Sequence, residues 1–167
     1  MQKVLVIGSP GAGKSTFARK LRDLSGLPLC YLDMLWHKPD QTNVTAAEFD
    51  AALEDTLRQD RWIIDGNYLR TMERRLQACD TVFFLDLPVD VCLSGAKARI
   101  GLPREDLPWV EHELDNEFRR WIIDFPKEQR PVILSLLEEY QHSKTVVTFY
   151  SRVQADRYLA AFRPSLS

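Results

Sequence analysis

Apolar residues recur along this chain in two rhythms. Residues 3–7, 27–32, 61–64, 81–85 and 145–149 are short blocks rich in β-branched, aromatic and leucine side chains, the pattern of strands buried on both faces. Elsewhere the apolar positions fall three or four apart. Phe17, Ala18, Leu21 and Leu24 form one stripe, Phe49, Leu53 and Leu57 a second, and Leu69, Met72 and Leu76 a third, each marking one face of a helix. Gly26 and Pro28 end the first helix, and Thr45 with Glu48 makes a capping box that opens the second. Helical patterns also cover residues 89–100, 109–124 and 127–140, and a last helix follows the strand at 145–149. Gly95 weakens the first of these by about 1 kcal/mol relative to alanine, and Phe125-Pro126 separates the other two.

Strands that alternate with helices in this way predict an α/β chain with a parallel sheet and crossover helices. Such sheets bind ligands beyond the carboxyl ends of their strands. Gly8, Asp33, Asp65 and Asp86 all fall there.

The first of those ends carries Gly8-Ser9-Pro10-Gly11-Ala12-Gly13-Lys14-Ser15-Thr16. The spacing Gly-x-x-x-x-Gly-Lys-Ser is that of a P-loop, whose successive backbone N–H groups curl round a phosphate while the lysine reaches the terminal phosphates. Its context agrees, because a strand enters it and a helix leaves it, with the positive end of the helix dipole aimed at the loop. Ser15 is the expected Mg²⁺ ligand.

A P-loop needs a companion acid for the metal. Asp65 and Asp86 both end apolar strands, and Asp65 is favoured because Gly66 behind it leaves room for a ligand. Asp33, at the end of the second strand, is a candidate to orient or deprotonate a substrate hydroxyl, with a plain turn-capping role as the alternative. Transfer of a phosphoryl group also calls for cations. Arg70, Arg74 and Arg75 follow Asp65, Lys97, Arg99 and Arg104 follow the fourth strand, and Arg119, Arg120 and Arg130 come later; Arg75 and Arg99 are the two selected. Gly101, Pro103 and Pro108 introduce a segment, 99–130, suited to closing over a nucleotide. Its stripe of Val110, Leu114, Phe118, Trp121, Ile122 and Phe125 reads as packing, whereas Trp36 and Tyr68 stand beside candidate acids, where they can stack on a ring or be buried.

Composition narrows the picture. A chain of 167 residues with 45% hydrophobic content suits one domain with a substantial core. With 22 Lys and Arg against 24 Asp and Glu, no global basic field recruits nucleic acid, although a local patch stays open. Cys30, Cys79 and Cys92 are far apart and lack the spacing that zinc requires, so they read as reduced thiols. Met1 leads directly into the first strand and no apolar run approaches the length of a membrane span, which together give the expectation of a cytoplasmic protein.

Longer stretches add a resemblance. "YLDMLWHKP" at 31–39, "WIIDGNY" at 62–68, "TMERRLQACDTVFFLDLP" at 71–88 and "FRRWIIDFPKEQRP" at 118–131, together with the loop at 8–16, resemble the adenylate-kinase-related P-loop family of DNA topology modulation proteins. The resemblance covers nearly the whole chain and implies a P-loop NTPase three-layer fold, with a five-stranded parallel sheet, helices on both faces and a helical lid. It further implies an acceptor-binding segment around 33–60, a lid around 99–130, ATP on residues 8–16 and Mg²⁺ held with the help of Asp65. Arg75 matches an arginine of the family pattern. Two positions depart from that pattern: Asn67-Tyr68 replaces the Phe-Pro-Arg that follows Asp-Gly in adenylate kinases, and Gly95 stands where the related proteins carry an arginine.

Two functions are compatible with these residues. The first is a Mg²⁺-ATP-dependent kinase acting on a small acceptor, with catalytic roles for Lys14, Asp33, Arg75 and Arg99 and metal roles for Ser15 and Asp65. The second is an ATP-operated switch linked to DNA topology with little turnover. A kinase acting on nucleic-acid ends is a third, which would require a basic groove. The sequence fixes neither the acceptor nor the oligomeric state.

Overall fold

A computed structural model of the protein describes residues 1–164. The chain runs β1 (Lys3–Gly8), α1 (Lys14–Ser25), β2 (Leu29–Tyr31), α2 (Leu32–Trp36), α3 (Ala46–Leu57), β3 (Trp62–Asp65) and α4 (Leu69–Ala78). It continues through β4 (Thr81–Leu85), α5 (Val89–Ala98), α6 (Asn116–Glu128), α7 (Arg130–Tyr140), β5 (Thr145–Phe149) and α8 (Arg152–Ala161). All five strands are parallel, in the order β2-β3-β1-β4-β5.

The two-residue period of a strand sorts its side chains onto opposite faces of the sheet. Val4 and Val6 of β1 pack with Phe17 and Leu21 of α1, Phe83 of β4 and Leu159 of α8. Leu5 and Ile7 turn the other way, into a cluster with Phe49 and Leu53 of α3, Met72 and Leu76 of α4, and Leu137 of α7. The central strands are fully buried and covered by helices on both sides, as their unbroken apolar runs require.

Three boundaries differ from the sequence reading. The second strand stops at Tyr31, and Leu32 and Asp33 open a short helix instead of ending the strand. The pattern at 109–124 becomes helical only at Asn116, where Asp115 accepts a hydrogen bond from the Glu117 N–H and caps α6. Pro126 lies inside α6 and does not break it; the chain turns into α7 at Gln129. Helix α6 is anchored from both sides of the molecule, since Ile122 belongs to the first apolar cluster and Phe125 to the second. In the irregular chain at 99–115 that precedes it only Asp106 and Leu107 are buried, and Leu114 packs part-buried against the first cluster.

Candidate active site

Parallel pairing brings the loop after β1 beside the end of β3, with Val6 in register with Asp65. Helix α1 follows Gly13 at its N-cap, with no side-chain cap and no acid in its first turn, so its free N–H groups and positive dipole end are left for an anion. Gly11 is required where it stands: its φ is 79°, and a Cβ there would strike the Cys92 carbonyl of α5. Gly95 answers it from the other side, because a side chain on it would strike the Gly11 carbonyl and the Arg152 guanidinium. Arg152, from α8, donates to the Gly11 carbonyl at 3.1 Å. An arginine from α8 thus rests against the loop, over the space that Gly95 leaves open.

Lys14 and Ser15 stand at the centre of the site. Lys14 Nζ donates to the Ser9 carbonyl at 3.0 Å, and burial pulls its pKa down, opposed by the charges of Asp65 and Asp33. Ser15 Oγ donates to Asp65 Oδ2 at 2.7 Å and lies 3.1 Å from Asp106 Oδ2. Burial pushes the Asp65 carboxyl up to about 6, against the pull of Lys14 and Ser15, and its Oδ1 is buried with no partner. An orphaned carboxylate oxygen beside a hydroxyl and a second carboxylate is a donor set suited to Mg²⁺, a hard cation that retains several waters and takes phosphate oxygens. Among the described residues no cluster of three or more His, Cys, Asp or Glu makes a metal site by itself. The donors fit an ion that a nucleotide brings with it.

Asp86, the other acid considered for the metal, is committed elsewhere: Arg130 grips its carboxylate through Nε at 2.9 Å and Nη2 at 2.9 Å.

Two cavities meet at this centre. One, of about 340 Å³, runs along residues 11–17 between α5 and α8 and includes Gly95, Arg152 and Leu159. The other, of about 630 Å³, is lined by Asp33, Asp65, Asn67 and Tyr68 on one side and by the 104–121 segment on the other. Both share Lys14, Ser15, Arg99, Arg104 and Asp106.

Asp33 faces the larger cavity from the first turn of α2, and Tyr68 Oη donates to its Oδ1 at 2.6 Å. Trp36 and Tyr68 line the same cavity and also pack on Phe49, Trp36 edge-on at 5.8 Å and Tyr68 stacked at 5.3 Å. Both aromatics are thus packed on Phe49 and part of the cavity wall. Arg99 lines both cavities; its Nε is buried without a hydrogen bond, its guanidinium lies 5.8 Å over the Phe118 ring, and Glu111 is 4.0 Å away.

Arg75 is the correction. Expected to neutralise phosphate charge, it is fully buried and lines neither cavity. Its guanidinium donates to the carbonyls of Gly66 at 3.0 Å, of Asn67, and of Tyr68 at 2.9 Å, and its Nε to Thr71 Oγ1 at 3.3 Å. Tyr68 holds a positive φ of 33°, a conformation that persists in a non-glycine residue only when its surroundings enforce it. Arg75 enforces it by tying down three successive carbonyls. It is a positioning residue for the Asp65–Tyr68 turn.

Sequence reasoning passed over Asp106, Glu111, Asn67 and Arg152, and named Arg104 only among several arginines. Arg104 is held by Asp106, with Nη2 at 2.7 Å from Oδ2, and by Glu111 at 2.8 Å from Nη1. No spacing signals these residues, because they meet only across the sheet's carboxyl edge. Asn67 had a signal, its place in the Asp-Gly-Asn-Tyr segment.

A solved structure shares the fold. Shikimate kinase from Acinetobacter baumannii, in complex with shikimate, is similar at a TM-score of 0.61 and 17% identity, covering 95% of this chain and 91% of that one. An unliganded sugar kinase from Janibacter sp. HTCC2649 aligns at a TM-score of 0.49 and 16% identity, covering 96% of this chain and 91% of that one. No protein-family model and no curated protein matches the chain. The likeness to shikimate kinase, together with the five parallel strands, shows a P-loop kinase-like α/β fold. No helix among the described residues is long and apolar enough to cross a membrane.

Proposed function

We propose that this protein is a Mg²⁺-ATP-dependent phosphotransferase that moves the γ-phosphoryl group of ATP to a hydroxyl of a small acceptor. The observation that carries this reading is the junction of the two cavities at Lys14, Ser15, Arg99, Arg104 and Asp106. A nucleotide seated on the loop and helix N-terminus directs its terminal phosphate to that junction, and an acceptor in the larger cavity approaches it from the opposite side, as in-line transfer requires.

The chain's own groups then have distinct tasks. Backbone N–H groups of residues 8–16 and Lys14 hold the phosphates. Ser15 and Asp65 would hold Mg²⁺, which when bound draws charge from the phosphate oxygens. Asp33, held by Tyr68, takes the proton of the acceptor hydroxyl as its oxygen bonds to phosphorus and the bond from phosphorus to the β-phosphate oxygen breaks, releasing ADP. Arg99 supplies positive charge at the junction. Residues 99–115 form the moving part of the lid, because α6 behind them is fixed by Ile122 and Phe125, and closure excludes water that would otherwise hydrolyse ATP.

One observation favours a second reading. The Arg104–Asp106–Glu111 network ties the lid segment to Ser15, an arrangement that also suits a nucleotide-operated switch, the role that the resemblance to DNA topology modulation proteins suggests. ADP release from Mg²⁺-ATP, measured across nucleosides, nucleoside monophosphates, sugars and short DNA ends with Lys14→Ala as the blank, separates the two. Stimulation by one acceptor supports the kinase. Tight ATP binding with no stimulation by any of them overturns it in favour of the switch.

A further inference from the structure

The larger cavity has an unusual charge distribution. Every lysine and arginine on its wall, namely Lys14, Arg99 and Arg104, is shared with the nucleotide cavity. Beyond that junction the wall carries Asp33, Glu113 and Asp115 and no lysine or arginine, while Asp65 and Glu111 bond the junction's Ser15 and Arg104. Of the arginines that follow Tyr68, Arg70 pairs with Asp50 at 2.7 Å, Arg74 with Glu54 at 2.8 Å, and Arg75 holds backbone carbonyls, while Arg119 and Arg120, between Phe118 and Trp121, do not line the cavity. His37 and His112 are the remaining basic side chains of the wall, and His37 Nδ1 lies 3.0 Å from Asn43 Oδ1.

An independent feature points the same way. Asn67 is 9% exposed and lines the cavity. Its Nδ2 donates to Gln129 Oε1 at 2.7 Å, which fixes the amide, and its Oδ1 is buried with no partner. A buried acceptor of this kind calls for a donor, and its residue lies on the cavity wall. Trp36, Trp109, Phe118 and Trp121 give the same wall broad apolar faces suited to a ring.

Resting on the kinase reading, we infer that the acceptor is a ring compound without phosphate or carboxylate, uncharged or carrying an amine, whose hydroxyl or amino groups donate to Asn67 and to the cavity's carboxylates. A nucleoside monophosphate or a carboxylic acid would bring a second anion beside Asp33, which no ion pair engages, and beside the exposed Glu113 and Asp115, where like charges repel. A nucleoside or an amino sugar brings none, and about 630 Å³ is ample for either.

The test uses matched pairs that differ only in the anionic group. Full-length protein with Mg²⁺ and a non-hydrolysable ATP analogue is titrated, by calorimetry, with ribonucleosides against their 5′-monophosphates and with amino sugars against sugar acids and shikimate. The neutral or amine member of at least one pair should bind about tenfold or more tightly than its anionic counterpart. Asn67→Leu, close in shape, should weaken that member about tenfold while leaving the affinity for the ATP analogue unchanged. Glu113→Lys, at an exposed position, should narrow the preference and provides a variant whose folding is not in question. Tighter binding of an anionic member, or no binding by any neutral or amine compound, overturns the inference. The kinase reading fails separately: a neutral member that binds as described without releasing ADP from ATP leaves the cavity's chemistry standing and removes the transfer.

Discussion

The two cavities that share Lys14 and Ser15 are built by opposite means. The nucleotide side is a run of consecutive residues, 8–16, closed by glycines and by Arg152, with backbone N–H groups and cations facing inward. The acceptor side gathers Asp33, Asn67, Trp109 and Phe118 from distant parts of the chain, and its walls are acidic and aromatic. The contrast teaches that binding a phosphate needs only local geometry and positive charge, whereas choosing an acceptor needs groups that no single segment can supply. On the proposed transfer, cations stay at the junction where negative charge would develop, and the space beyond is left for an acceptor that brings donors.

Five measurements break or sharpen this contrast, in falling order of expected effect. Lys14→Ala should reduce acceptor-stimulated ATP turnover about 10³-fold; turnover within tenfold of the parent would remove the lysine from the centre. Arg75→Met should lower unfolding free energy by about 3 kcal/mol in denaturant titration, because three buried carbonyls and Thr71 lose their donor. A stable Arg75→Met protein with impaired turnover and intact acceptor binding would instead restore the arginine to the chemistry. Asp33→Asn should cut the transfer rate about 10²-fold while nucleotide binding, read by calorimetry, is unchanged; a loss of nucleotide affinity would place Asp33 on the wrong side of the junction.

Asp65 gives a dependence on pH. Its carboxyl is raised from 3.8 to about 6 by burial, so the folded chain keeps a proton that the unfolded chain releases. Without metal or nucleotide, stability should therefore fall as pH rises from about 4 to 6, with the full cost present above that window. Asp65→Asn should be the more stable protein at pH 7.5, by on the order of 2–3 kcal/mol, with the difference vanishing near pH 4. An unchanged gap between pH 4 and 7.5 would contradict the burial argument. The smallest effect is expected from Arg152→Ala, a several-fold weakening of nucleotide binding worth about 1 kcal/mol, with the acceptor side untouched.

Arg75 and Arg99 mark a limit of sequence reading. Both were chosen as arginines following strand ends. Arg99 comes to the junction with an unsatisfied Nε, while Arg75 turns inward beneath Tyr68. Nothing in their neighbours distinguishes them, because which way a helix faces depends on the apolar stripe of that helix meeting a particular sheet face. For α4 that stripe is Met72 and Leu76, and it carries Arg75 inward with it. The lid pattern at 109–124 shows the same limit: its apolar spacing is helical, yet residues 109–115 stay irregular and line the acceptor cavity.

The sequence by itself determined the alternation of strands and helices, the phosphate loop and its place between β1 and α1, the capping box at Thr45 and Glu48, and the acid at the end of β3. These follow from interactions within a few residues: side-chain period, turn chemistry and capping. Tertiary structure alone decided that Asp33 lies in a helix, that Asp106 reaches Ser15 and holds Arg104, that Arg152 rests against the phosphate loop, and that the larger cavity carries several acids. Each of those depends on the strand order β2-β3-β1-β4-β5, which sets residues far apart in the chain along one edge of the sheet, and a local pattern holds no record of that distance.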